Sequence, residues 1–194
     1  MFQSKDNNRS SASVPGAFSR RLAIAAGVIA PFLLKAAKAE APHDAVVASL
    51  VDRSERQAQL FNAGRMEEWV EHVRLGDDFT LMQPFGGPAI HGFDASPQHL
   101  AELAARFQNG DASLELVQAV ATDDLVLLAY IERQDGEVFG LPKQDWSLRV
   151  TQVFRRQGAD WHLVHRLADP LVRSISLATT AALAAGRDLA VEGW

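Results

Sequence analysis

Two runs near the end of the chain settle its fold class. Over residues 146–156 apolar and polar side chains alternate, Trp146, Leu148, Val150 and Phe154 on one side against Ser147, Arg149, Thr151 and Arg155 on the other. Four residues, Gln157-Gly158-Ala159-Asp160, separate this run from residues 161–168, which alternate again. Alternation with period two marks a strand with one buried face. Two such strands joined by so short a turn pair as an antiparallel hairpin. Further strands are expected over 78–83, 112–122 and 125–133, the last nearly all apolar and therefore central.

Elsewhere the apolar residues recur at helical spacing. Val47, Leu50, Val51, Ala58 and Phe61 form one face of a helix starting at Asp44, and Met66, Trp69, Val70 and Val73 one face of a second, short helix ending at Gly76. Ser96-Pro97 supplies an N-cap and a first-turn proline for a third, carrying Leu100, Leu103, Ala104 and Phe107 and ended by Asn109-Gly110. An Ala-rich helix over 175–185 follows Pro170. Two helices, a strand, a helix and then a run of antiparallel strands describe an α+β domain with helices on one face of a curved sheet.

Charge divides the chain. Residues 1–39 hold six Lys/Arg and one Asp, whereas the remainder holds 13 Lys/Arg and 23 Asp/Glu. An acidic domain without a basic stripe is a poor match for a phosphate backbone, so nucleic acid is excluded as a partner. The chain has no cysteine, which rules out disulfides and thiolate chemistry. The first 39 residues read as an export signal: a charged start, an apolar stretch over 22–34, and the small-residue site Ala37-Lys38-Ala39. That stretch, about 20 Å as a helix, is shorter than the roughly 30 Å of a bilayer core. Ser19-Arg20-Arg21 resembles the twin-arginine signal. Cleavage after Ala39 and a periplasmic or secreted domain, free of the membrane, are expected. The organisation is then a signal over 1–39, a domain over 44–170 and a helical extension over 171–194.

The closing hairpin LRVTQVFRRQGADWHLVHRLADP and the opening FNAGRMEEWVEHVRLGDDFTLM resemble the SnoaL-like and ketosteroid isomerase-like members of the nuclear transport factor 2-like superfamily. The resemblance spans residues 44–170. It implies a cone-shaped, curved antiparallel sheet with helices packed on its concave face, a pocket inside the cone, homodimers, and acid–base chemistry by an Asp or His. Such families often read H-R-H-A-D at the strand end, where this chain has Leu167 in place of the second His.

Strand parity selects the candidates. In the last strand Trp161, Leu163, His165 and Leu167 fall on the inner side, with Asp169 continuing it, while His162, Val164 and Arg166 fall outside. Tyr130 and Glu132 share the inner face of the central strand, and Gln152 and Gln118 interrupt apolar faces of theirs. His165 is then the candidate base, because imidazole is the side chain suited to proton transfer near neutral pH, with Asp169 orienting it or acting itself. Tyr130, Glu132, Trp146, Gln152 and Gln118 are the candidate ligand-binding residues. The expected function is binding of a small apolar molecule, with proton transfer, isomerisation or hydrolysis as its chemistry. The alternative is a non-catalytic dimeric module with a filled cavity, His165 being a core histidine. His162 and His165 do not share a strand face, so no metal site is expected, and no cofactor is implied.

Overall fold

The computed structural model describes residues 43–187. The proposed export signal and its cleavage site lie outside the described residues. Helix α1 (Asp44–Asn62) and the short α2 (Met66–His72) lead into β1 (Leu75–Met82) and the two-residue β2 (Ile90–His91). Helix α3 (Pro97–Arg106) follows, then β3 (Phe107–Ala121), β4 (Leu125–Val138), β5 (Leu141–Asp145), β6 (Leu148–Gln157), β7 (Asp160–Pro170) and α4 (Leu177–Ala184). The strands form one curved, unclosed sheet in the order β2-β1-β7-β6-β4-β3, with β5 paired to β4. All pairs are antiparallel except β1 with β7. The α+β class is as the patterning predicts.

Local chemistry explains the element ends. Ser96 adopts an extended conformation and its side chain accepts a hydrogen bond from His99 N, while Pro97 occupies the first turn of α3. That helix stops at Arg106, so Phe107 and the Asn109-Gly110 pair belong to β3 rather than to a helix end. Residues 141–145 pair with β4 as β5. Helix α4 forms where expected, but none of its residues is buried.

The inner face of the sheet and α1 build the core. Leu50 of α1 packs with Val126, Leu128 and Tyr130 of β4, Val150 and Phe154 of β6, and Leu163 of β7. Phe154 is fully buried, and truncating such a side chain to Ala typically costs about 3–5 kcal/mol. Among the described residues no helix is long and apolar enough to cross a membrane.

Two β-bulges decide which side chains face this core. In β7 the partners of Val153 and Phe154 are His165 and Leu163, leaving Val164 as an extra residue. In β3 the partners of Tyr130 and Ala129 are Leu116 and Gln118, leaving Val117 extra. Each additional residue inverts the inside–outside phase of the strand beyond it.

Candidate functional site

Between α1, α2, α3 and the inner sheet face lies a cavity of about 720 Å³. Helix α1 lines it with Ser54, Gln57, Ala58, Phe61 and Asn62, spaced as a single helical face. Its aromatic wall is continuous. Ring centroids follow one another from Trp146 to Phe85 (6.2 Å), Phe139 (5.5 Å), Phe107 (5.5 Å), Phe61 (4.7 Å), Trp69 (5.5 Å), Phe93 (5.0 Å) and His99 (5.7 Å). All eight rings line the cavity. Tilted and edge-on pairs of this kind add to the stabilisation from area burial alone.

The inner end is polar. Arg166 Nη2 donates to both carboxylate oxygens of Glu132 at 3.1 and 3.0 Å, and its Nη1 donates to the Tyr130 hydroxyl at 3.0 Å. Burial alone would lower the Arg166 pKa, but the Glu132 charge and the Tyr130 contact outweigh it and raise it. Burial pushes the Tyr130 hydroxyl above the ordinary tyrosine range, the Arg166 charge pulling it partly back. Beside this group, Ser54 Oγ donates to Gln152 Oε1 at 2.8 Å. Asn62 Nδ2 donates to Gln134 Oε1 at 2.6 Å, and Gln134 Nε2 donates to Trp146 O at 2.9 Å. The Trp146 indole N–H is buried and has no hydrogen-bond partner.

The bulge at Val164 corrects the parity reading of β7. Arg166, expected outside, lies opposite Gln152 and reaches the cavity, whereas His165 lies opposite Val153 on the outer face. There its Nδ1 sits 2.6 Å from Thr80 Oγ1 of β1. Asp169 pairs with Arg149, is exposed, and does not line the cavity. The bulge at Val117 likewise puts Gln118 opposite Ala129, exposed and away from the cavity. Of the expected site residues, Glu132, Gln152 and Trp146 line the cavity, and Tyr130 lies behind it as a hydrogen-bond partner of Arg166. Among the described residues no group of His, Asp and Glu is arranged to hold a metal ion.

Sequence reasoning missed Arg166 and the polar face of α1, although both left signals. A carboxylate at Glu132 on an apolar face demands a cation, and Arg166 is the only Arg of β7. Ser54, Gln57 and Asn62 also fall on the α1 face that carries Ala58 and Phe61, a polar interruption that a closed core has no use for.

No family model and no curated protein matches this sequence. Solved structures do. A nuclear transport factor 2-like superfamily protein from Salmonella enterica serovar Typhimurium superposes with a TM-score of 0.53 at 11% identity, over 77% of this chain and 98% of that one. A nuclear transport factor 2-like protein of unknown function from Pseudomonas putida gives 0.50 at 21% identity, over 70% and 91%. A Xanthomonas campestris protein named for the association domain of calcium/calmodulin dependent protein kinase II gives 0.52 at 12%, over 71% and 93%. Likenesses at 11–21% identity speak for architecture alone, and in architecture the chain has the nuclear transport factor 2-like fold.

Proposed function

We propose that the protein binds a small, ring-bearing, largely apolar molecule that carries a neutral hydrogen-bond-accepting oxygen. The observation that carries this reading is the chain of eight rings closing on a polar end at which the Arg166 guanidinium still has N–H groups to offer. A mostly apolar cleft with few convergent polar groups is the usual form of a small-molecule site. Three of the five N–H groups that a guanidinium offers suffice for the bonds Arg166 makes, which leaves two for a ligand. Both Glu132 oxygens are already engaged. A second carboxylate beside Glu132 would meet like charge, which favours a ketone, lactone or amide over an acid. Catalysis is not part of this reading, because neither His165 nor Asp169 lines the cavity.

Matched naphthalenes test the proposal. Thermal shift and calorimetry should rank 2-acetonaphthone, a neutral ketone, above 2-naphthoate and above unsubstituted naphthalene. Binding of none of the three would overturn it.

The expected homodimer is proposed through the outer sheet face. There Leu127, Ala129, Ile131, Val153 and Leu167 form a half-buried apolar surface. Val153→Glu should convert a dimer to a monomer in sedimentation velocity, and a wild-type monomer would refute the proposal. Export by residues 1–39 is proposed on their charge and hydropathy pattern; replacing Arg20-Arg21 with Lys-Lys should retain the chain in the cytoplasm, and unimpaired export would reject a twin-arginine route.

A further inference from the structure

Six residues both line the cavity and are exposed: Phe85, Ile90, His91, Asp94, Arg106 and Phe139. They define its rim. Two of them, the phenylalanines Phe85 and Phe139, meet each other edge-on across it, with centroids 5.5 Å apart. Large apolar side chains left half exposed in this way, 50% for Phe85 and 53% for Phe139, are poorly explained by core packing.

Phe139 is also held in an unfavourable backbone conformation. Val138 pairs with Leu141 across a two-residue turn formed by Phe139 and Gly140, with φ of 50° and 81°. Such turns favour Asn, Asp or Gly at the first position, and a bulky residue there is strained. The surroundings enforce it: Phe139 N donates to Arg106 O at 2.7 Å, the Arg106 guanidinium stacks 5.5 Å from the ring centre, and Phe107 packs against it. Strain that neighbours overdetermine is a reason to look for function. Phe85, in contrast, sits on the β1–β2 connection beside Gly86 and Gly87, both at positive φ. Gly86 stands in open space, where even an added Cβ would meet no atom within 4 Å. One leaf is pinned by its neighbours, and the other sits in a single exposed turn, Gly86 N donating to Gln83 O at 3.2 Å, so that moving it means opening one turn beside two glycines.

We propose that Phe85 and Phe139 form a gate over the cavity, Phe139 being the fixed post and Phe85 the moving leaf, and that Phe139 thereby sets which molecules enter. The proposal rests on the cavity being a ligand site. A gate makes a distinct kinetic prediction. Removing an ordinary wall contact speeds dissociation and leaves association unchanged, because affinity differences within one site lie mostly in the off-rate. Removing a gate residue speeds association as well, because opening no longer limits entry.

The test is stopped-flow fluorescence of the neutral naphthyl ketone 6-propionyl-2-(dimethylamino)naphthalene binding to the full chain. Phe139→Ala and Phe85→Ala should each raise the association rate about tenfold, and the double variant should gain little more, since both residues close one opening. Phe61→Leu, a wall change away from the rim, should alter dissociation alone. Phe139→Asn removes the ring while tolerating the left-handed backbone, and repeats the experiment in a variant whose turn is unstrained. Association rates unchanged in the Phe85 and Phe139 variants, with probe still bound, would overturn the gate and leave the ligand site standing. Absence of probe binding in wild type and every variant would overturn both. Binding in the variants but not in wild type would support a gate that stays closed to this probe.

Discussion

Arg166 and Glu132 are joined through a single nitrogen, Nη2, which lies 3.1 and 3.0 Å from the two carboxylate oxygens, with the Glu132 side chain 4% and the Arg166 side chain 20% exposed. The asymmetry has an energetic consequence. Arg166→Met strands a carboxylate out of water and should cost about 3–5 kcal/mol. Glu132→Gln leaves a cation that the cavity can hydrate and should cost roughly 1–3 kcal/mol. Glu132→Gln combined with Arg166→Met should recover part of the larger loss, because no buried charge is then left unpaired. Urea unfolding at pH 7 measures all three, and strictly additive losses would show that the pair is not coupled.

Tyr130 is the chain's one tyrosine, so its ionisation can be followed without interference from another phenol. Burial raises its pKa above the ordinary value of 10.0. The folded state therefore holds this proton more tightly than the unfolded state does. The stability this contributes is complete below about pH 10 and is lost as pH rises beyond that value. Difference absorbance at 295 nm should show no phenolate step near pH 10 in the native protein and a full step in urea. A native step at pH 10 would contradict the buried placement.

His165→Ala should leave the affinity for 2-acetonaphthone within about twofold, because the imidazole faces Thr80 on the other side of the sheet. Loss of that hydrogen bond should lower stability by about 1 kcal/mol. Calorimetry decides the matter: a tenfold fall in affinity would return His165 to the ligand site.

Trp146→Phe removes a buried N–H that has no partner. Its stability should stay within about 1 kcal/mol of wild type, since an unsatisfied donor contributes nothing to the fold. The preference for 2-acetonaphthone over naphthalene should change by less than about twofold, because the N–H is shut off from the cavity. A fall of about fivefold, the worth of one net hydrogen bond, would show that the indole N–H reaches the ligand.

Most of the fold is legible in the residues, because burial imposes periodicity. Val126, Leu128, Tyr130 and Glu132 recur at every second position of β4 and are all buried, and Ser96-Pro97 marks the start of α3. The candidate site is legible only as far as the phase of each strand holds. Glu132 and Gln152 lie before any bulge in strands that keep their register with each other, and both reach the cavity. Gln118 and His165 each follow an extra residue, Val117 and Val164, and both end on the far face. Neither bulge contains a glycine or proline to announce it. The aromatic wall was hidden for another reason: its rings come from separate helices, strands and turns, and sequence spacing carries no trace of their meeting.

The bulge at Val164 gives β7 something like a reading frame. Upstream of it the odd positions are inside, as Leu163 shows, and downstream the even ones are, as Arg166 and Ala168 show. Closing the bulge while keeping Val164 in the ladder would exchange the two downstream sets wholesale, withdrawing a guanidinium and delivering an imidazole and a carboxylate at positions 165 and 169 to the same chamber. Two proteins of this architecture with equally long strands, bulged in one and regular in the other, therefore present opposite chemistries to a ligand although an alignment shows no gap between them.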